Sequence, residues 1–286
     1  MIRNNIPIIQ APELLTLYNT GNLVIADVSN GKDARSRYEK KHLEGALFID
    51  LNTMLADIKD DFSYGGRHPL PPIENFANTL TNLGIANNSH IVIYDDQHGA
   101  NAAARFWWML KSAGHDKVQV LDGGLPAAQQ AGFPVSSASH IPKSTEPYKI
   151  SSWMLPLADI LTVEEFSKNK EQLVIDVRAA DRYHGDTEPI DLVAGHIPGA
   201  INIPYTENLD ADGFFLKPAA LKAKYEKAFT GKAGENIIVH CGSGVTACHT
   251  LLAIAYAGLE IPKLYVGSWS EWSRNNKPVA TKNNKA

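Results

Sequence analysis

Short apolar runs recur along the chain, and each stops at a polar residue before a turn. Four of them are rich in Val and Ile: LVIADV from Leu23, HIVIY from His90, LVIDV from Leu173 and IIVH from Ile237. Runs of this length and composition are typical of strands that are buried on both faces of a sheet. Helical stretches follow them, so the pattern predicts an α/β fold with open, mostly parallel sheets flanked by helices.

The two halves of the chain resemble each other in the same order. The strand ending in Asp27 matches the strand ending in Asp176, and each is followed by an Arg-Tyr pair and then by a His-x-x-Gly-Ala turn, at His42 and His196. Two later pairs of segments also match, beginning at His90 and Asn236 and at Leu121 and Tyr265. Ordered matches of this kind predict a duplicated unit, and structural roles for both turn histidines.

A stretch rich in Pro and Ser, from Ser136 to Pro156, separates the two copies. Such a composition favours a linker between folded units. We predict an N-terminal domain over residues 8–137, a linker over 138–158 and a C-terminal domain over 159–283. The length of 286 residues fits two domains of ordinary size.

Composition narrows the class of protein. The chain is 44% hydrophobic and 20% charged, which is ordinary for a globular protein and does not fit disorder. No apolar run approaches the ~20 residues of a membrane-spanning helix, and the N-terminus lacks the layout of a secretory signal. We therefore expect a cytoplasmic protein with no membrane partner. The formal net charge of −4 disfavours nucleic acid as a partner.

The two cysteines, Cys241 and Cys248, have different sequence contexts. Their spacing fits no zinc motif, and a reducing compartment disfavours a disulfide, so we predict no metal site and no cofactor. Cys248 lies within a predicted helix and is expected to pack in the core. Cys241 directly follows the strand IIVH, where the first half has Asp95 instead.

The segment CGSGVTA, which starts at Cys241, has the composition of an anion-binding loop. Its glycines let successive N–H groups converge, and the following helix adds the positive end of its dipole. Such a loop would favour the thiolate, which is the reactive form of a cysteine. The alternative is an inert, buried cysteine in an ordinary turn. Beside Cys241 and Ser243, the predicted loop residues are Gly242, Gly244, Val245 and Thr246.

With HCGSGVTA, DVRAADRY, GHIPGAINIP and LYVGSWSEW, nearly the whole chain resembles the tandem-domain rhodaneses, and the cysteine loop is most similar to that of 3-mercaptopyruvate sulfurtransferases. The resemblance implies two rhodanese-like domains, the first an inactive copy without the cysteine. It also implies sulfur transfer from a small anionic donor, 3-mercaptopyruvate being favoured, through a Cys241 persulfide to an acceptor such as cyanide or a thiol.

The resemblance further implies binding and catalytic residues. Arg182 matches the family's donor-binding arginine, and a planar guanidinium suits carboxylate or sulfonate oxygens. The family's second arginine is missing, because the chain reads Glu-Pro-Ile-Asp over residues 188–191, and Arg67 is a candidate replacement. Ser243 and His68 match two members of a proposed Ser-His-Asp relay, and Asn52 stands where the aspartate is expected.

Other functions remain open at the sequence level. Phosphatases of similar fold need an arginine six positions after the cysteine, where this chain has Ala247, so that activity is disfavoured. Thiosulfate is the alternative donor, and a non-enzymatic persulfide carrier or interaction module is the alternative to an enzyme. A monomer is the expected state.

Overall fold

The computed structural model describes residues 6–18, 21–100, 102–138 and 140–284. It divides into two compact units. The first unit contains the described residues up to Ala56 together with Pro71–Met154 and Ala211–Phe214, and the second contains Asp57–Leu70, Leu155–Asp210 and the chain from Phe215 onward. Residues 57–70 therefore pack with the second unit, although they lie within the predicted N-terminal domain. The predicted domain limits at 137 and 159 stay a prediction.

The first unit is built around a parallel sheet. Its strands are β1 (Ile8–Ile9), β2 (Leu23–Asp27), β4 (Leu47–Phe48), β5 (His90–Tyr94) and β6 (Val118–Leu121), in the order β1-β6-β5-β2-β4. Two short strands, β3 (His42–Leu43) and β7 (Val135–Ser136), pair antiparallel beside it. Its helices are α1 (Ala11–Leu17), α2 (Ala34–Lys40), α3 (Leu51–Met54), α4 (Ile73–Asn82), α5 (Ala103–Ser112) and α6 (Gly124–Gln130).

The second unit repeats this plan. Its parallel strands are β8 (Leu157–Ala158), β9 (Leu173–Asp176), β10 (Ile201–Asn202), β11 (Ile237–His240) and β12 (Lys263–Tyr265), in the order β10-β9-β11-β12-β8. Its helices are α7 (Ile160–Lys168), α8 (Ala180–His184), α9 (Pro218–Phe229), α10 (Ala247–Tyr256) and α11 (Ser268–Trp272), with 3-10 turns at Tyr205–Asn208 and Gly234–Asn236.

Both sheets have the same strand order when each unit is numbered from its own first strand. The central strands β5 and β11 are buried along nearly their whole length, which explains their runs of Ile and Val without alternation. The predicted fold class, two α/β units with parallel sheets and flanking helices, is confirmed.

Each unit also contains a tyrosine ring stacked on a histidine ring. Tyr38 stacks on His42 with ring centroids 4.0 Å apart, and Tyr183 stacks on His196 at 3.8 Å. In each pair Nδ1 of the histidine lies within hydrogen-bond distance of the tyrosine carbonyl oxygen, at 2.6 Å and 2.7 Å. The same geometry in both copies supports the structural role predicted for these histidines.

The first unit holds a carboxylate where the second has its cysteine. Tyr94 at the end of β5 pairs with Asp27, His240 at the end of β11 pairs with Asp176, and the next residues are Asp95 and Cys241. The buried Asp95 carboxylate accepts the backbone N–H groups of Gln97, Gly99, Ala102 and Ala103, at distances of 2.8 to 3.1 Å. Burial raises the pKa of Asp95, and these four donors oppose that shift.

We predict that Asp95→Ala destabilises the protein by about 2 kcal/mol or more, because buried N–H groups lose their acceptor. Urea denaturation measures the free energy of unfolding. Asp96→Ala is the matched control, and its exposed ion pair with Arg37 should contribute less than ~1 kcal/mol. Equal stability losses in the two variants would contradict a special role for the Asp95 carboxylate.

Candidate active site

Cys241 lies at the carboxyl end of a central strand, the usual place for functional groups in an open parallel sheet. Its side chain is buried, with the residue 1% exposed. The backbone N–H of Cys241 donates to Ser268 Oγ at 3.2 Å, and its carbonyl accepts from the Trp269 N–H at 3.0 Å. The first residues of α11, which follows the neighbouring strand β12, therefore fix the backbone of Cys241.

The loop from Cys241 to α10 turns sharply at Gly244, which has φ +72°. A Cβ at that position would lie 2.6 Å from the Val266 carbonyl oxygen, so only glycine fits. The Gly244 carbonyl accepts the thiol of Cys248 at 3.3 Å, which ties the loop to the first turn of α10. Cys248 is thus buried within its helix, as expected, while Val245 is buried and Thr246 is half-buried at the end of the loop.

Several backbone donors of this loop are uncommitted. In the part of the chain that the structure describes, the N–H groups of Gly242, Ser243, Val245 and Thr246 have no hydrogen-bond acceptor. The matching loop of the first unit directs its N–H groups to the Asp95 carboxylate. Because the two loops leave equivalent strands, this internal comparison supports the second loop as a site for an anion on Cys241.

Two guanidinium groups lie over Gly242, next to the cysteine. A Cβ at Gly242 would be 3.1 Å from Nη2 of Arg67 and 3.6 and 3.7 Å from Nη1 and Nη2 of Arg182. A Cβ at Gly242 would therefore crowd Arg67 Nη2 and lie in ordinary van der Waals contact with Arg182. Arg182 is contributed by α8 and Arg67 by the 57–70 segment, whose backbone N–H at Arg67 donates to Ser270 Oγ at 3.1 Å.

Chain carboxylates hold one part of each guanidinium. Nη2 of Arg182 donates to Glu188 Oε1 at 2.6 Å and Nε donates to Glu188 Oε2 at 3.2 Å, while Nη1 of Arg67 bonds Asp191. A longer contact of 3.4 Å joins Arg182 Nη2 to Asp191. Among the described residues, Nη1 of Arg182 and Nη2 of Arg67 have no carboxylate partner. These are the atoms available to a bound anion.

A second ion pair supports the strand end below. Arg178 pairs with Asp176 at 2.6 Å and with Glu188 at 3.2 Å, and its guanidinium lies 4.6 Å from the ring of Trp269. Burial on its own would raise the pKa of Asp176, but Arg178 and then His240 lower it below its ordinary value. Burial lowers the pKa of His240, and the neighbouring Asp176 opposes that shift.

His68 and Ser243 contact each other, with His68 Nδ1 lying 2.8 Å from Ser243 Oγ. Both groups belong to the second unit, and Ser243 is two positions after the cysteine. A histidine and a hydroxyl at this distance can pass a proton between them. Their catalytic roles stay a prediction.

The structure thus brings the predicted site residues into one unit: Cys241 and its loop, Ser243, Arg182, Arg67 and His68. Sequence reasoning missed the partners that orient the arginines, which are Glu188, Asp191 and Arg274. The first two were noted only as a missing arginine, and opposite charge near Arg182 was the available signal. Arg274 gave no signal, because it reaches Asp191 from a distant part of the chain, at 3.0 Å.

Over the described ranges, no group of three or more His, Cys, Asp or Glu side chains could hold a metal ion. Within the same ranges, no helix combines the length and the apolar character that a membrane crossing needs.

Two α/β units of identical strand order, with a cysteine in a loop of uncommitted N–H groups in the second, define a duplicated protein with one candidate nucleophile. The rhodanese-like domain matches the sequence twice, over residues 10–131 and 162–275. The chain belongs to the rhodanese-like domain family.

Curated relatives span most of the chain. A protein of Pseudomonas aeruginosa named "Probable 3-mercaptopyruvate sulfurtransferase" is 40% identical over 85% of this chain and 86% of its own length. The thiosulfate sulfurtransferase of Mus musculus is 35% identical over 86% of this chain and 82% of its own. The structure of 3-mercaptopyruvate sulfurtransferase from Leishmania major superposes with a TM-score of 0.80 at 28% identity, covering 93% of this chain and 74% of that one. The chain is a sulfurtransferase.

Proposed function

We propose that the chain transfers a sulfur atom from a small anionic donor, 3-mercaptopyruvate being preferred, through a persulfide on Cys241 to cyanide or a thiol. One observation carries the proposal: a cysteine at a strand end, with uncommitted N–H groups in its loop and two guanidinium groups over Gly242. These are the parts that a double displacement by a sulfur nucleophile requires.

In the first step the Cys241 thiolate attacks the donor sulfur. With 3-mercaptopyruvate, an S–S bond forms and the C–S bond breaks, its electron pair passing to carbon, which takes up the thiol proton to give pyruvate. With thiosulfate, the S–S bond to the sulfonate breaks and sulfite leaves with the electron pair. Either route leaves a persulfide anion, and the loop N–H groups can hold its negative charge.

In the second step the acceptor attacks the outer sulfur of the persulfide. Cyanide becomes thiocyanate and a thiol becomes a persulfide, and in both cases the Cys241 thiolate is regenerated. Since Cys241 is only 1% exposed, the outer sulfur is the atom that an acceptor can reach more easily.

The choice of donor follows from charge and shape. The loop from Gly242 to Thr246 contains no cation, so the dianion thiosulfate gains no direct ion pair from the loop itself. The available guanidinium atoms of Arg182 and Arg67 suit the planar carboxylate of 3-mercaptopyruvate. Thiosulfate remains the second candidate donor, because the same two arginines can also bind a sulfonate.

We also propose a cytoplasmic location and a monomeric state. Both cysteines are free, and a reducing compartment keeps Cys241 available for reaction. Cell fractionation and light scattering of the purified chain test these two expectations.

Exposure to either donor should add one sulfur atom to Cys241, and Cys241→Ser should abolish both this adduct and turnover. Intact-protein mass spectrometry with peptide mapping measures the adduct. Cys248→Ser is the matched control, because a serine hydroxyl can keep the bond to the Gly244 carbonyl. An active Cys241→Ser protein, or an adduct on Cys248, would refute the proposed nucleophile.

Arg182→Ala should raise KM for both donors about tenfold or more, since a charge-assisted hydrogen bond contributes ~1.5–3 kcal/mol. Steady-state rates with each donor measure the effect. Arg35→Ala removes an exposed arginine paired with Glu39 in the first unit and should leave KM unchanged. Unchanged kinetics in Arg182→Ala would remove this residue from donor binding.

His68→Ala should lower kcat with 3-mercaptopyruvate about a hundredfold, because only this donor must move a proton from sulfur to carbon. Turnover of thiosulfate should change by less than about twofold, since no proton moves in that step. Equal losses with both donors would indicate that His68 only supports the loop through Ser243.

A further inference from the structure

We infer that Glu188 and Asp191 are positioning residues that set the donor charge which the site prefers, and that Arg274 balances them. This inference rests on the proposed function and concerns the same site. It assigns no catalytic step to these residues: Glu188 and Asp191 contact the arginines of the site, and Arg274 contacts Asp191.

Carboxylates bond some of the nitrogen atoms of Arg182 and Arg67 and leave the others available. Glu188 takes Nε and Nη2 of Arg182, and Asp191 takes Nη1 of Arg67. The remaining atoms face Gly242: Nη2 of Arg67 is 3.1 Å from a Cβ placed there and Nη1 of Arg182 is 3.6 Å from it, with the held Nη2 of Arg182 at 3.7 Å. The carboxylates therefore orient the arginines and leave the donor-facing atoms available.

The two carboxylates are more buried than Arg67, Arg182 and Arg274. The Glu188 side chain is 4% exposed and the Asp191 side chain 0% exposed, whereas Arg67, Arg182 and Arg274 are 15–17% exposed. Water cannot screen these carboxylates well, so their charges act on an anion bound at the arginines. Glu188 is fixed further by the N–H groups of Ile190 and Asp191, at 3.1 and 3.0 Å.

The charged side chains around the site do not cancel completely. The ion pairs join four guanidinium groups to three carboxylates: Arg67, Arg178, Arg182 and Arg274 to Asp176, Glu188 and Asp191. One net positive charge remains, which matches the single carboxylate of 3-mercaptopyruvate. A dianion such as thiosulfate would leave one negative charge uncompensated beside the Cys241 thiolate.

Arg274 makes the inference testable in both directions. It bonds Asp191 Oδ1 at 3.0 Å and the Ser270 carbonyl at 2.8 Å, and its guanidinium lies 5.4 Å from the ring of Phe62. Removing its charge strengthens the field of Asp191, whereas removing the charge of Asp191 weakens it. The two changes should shift donor preference with opposite signs.

The experiment compares kcat/KM for thiosulfate and 3-mercaptopyruvate in each variant. Asp191→Asn and Glu188→Gln should each raise the ratio of thiosulfate to 3-mercaptopyruvate about fivefold, and Arg274→Gln should lower it by a similar factor, from the Coulomb energy of one charge at this range. Arg274→Lys keeps the charge and should keep the ratio. Glu226→Gln, at an exposed helical ion pair, is the control for net charge alone.

The outcomes separate this inference from the proposed function. If the unaltered protein turns over neither donor, the proposed function fails. If it turns over both and the ratio moves in the same direction in Asp191→Asn and Arg274→Gln, or in neither, the inference alone is wrong. A thermal melt of each variant identifies misfolding, and Glu188→Gln and Arg274→Gln still decide the sign if Asp191→Asn does not fold.

Discussion

The structure depends on holding a negative charge at the end of a buried strand without a cation in contact with it. Backbone N–H groups at a strand-to-helix turn meet this need, because they carry partial positive charge and add no charge that must be desolvated. The first unit displays the principle directly, because the N–H groups of Gln97, Gly99, Ala102 and Ala103 donate to the Asp95 carboxylate. The second unit offers the equivalent turn to Cys241, and we propose that its N–H groups hold the negative charge of the persulfide.

We propose that a donor anion, which brings its own charge, binds to Arg182 and Arg67, whose guanidinium groups are already partly neutralised by carboxylates. Unpaired guanidinium groups this close together would repel one another and lose their orientation. Glu188 and Asp191 remove both difficulties, since each carboxylate holds one part of an arginine and leaves the other part over Gly242. In our proposal, the partial neutralisation lowers the affinity of the site for anions in general, and the fixed geometry favours one particular anion.

The fold and the position of Cys241 could be predicted from the sequence, because both depend on patterns of neighbouring residues. Uninterrupted Val and Ile runs mark buried parallel strands, and a cysteine followed by glycine marks the turn. The assignment of residues 57–70 to the second unit was not readable, since no local pattern records which core a loop packs on. The partners of Arg182 and Arg67 were missed for a related reason. In the sequence, the segment with Asp191 indicated only that an expected arginine is missing. The role of Asp191 depends on its bond with Arg67, which lies 124 positions away in the sequence.

The first unit, which lacks the cysteine, differs from the second in a further respect, the partner of its arginine. Arg37 precedes Tyr38 as Arg182 precedes Tyr183, so both units retain the arginine. In the first unit Arg37 pairs with Asp96, the residue directly after Asp95, whereas the residue directly after Cys241 is Gly242. A loop carboxylate thus takes the arginine in one copy, and a glycine leaves space beneath it in the other. Placing a cysteine at Asp95 alone would therefore leave Arg37 paired with Asp96, so that this arginine would not be available to an anion as Arg182 is.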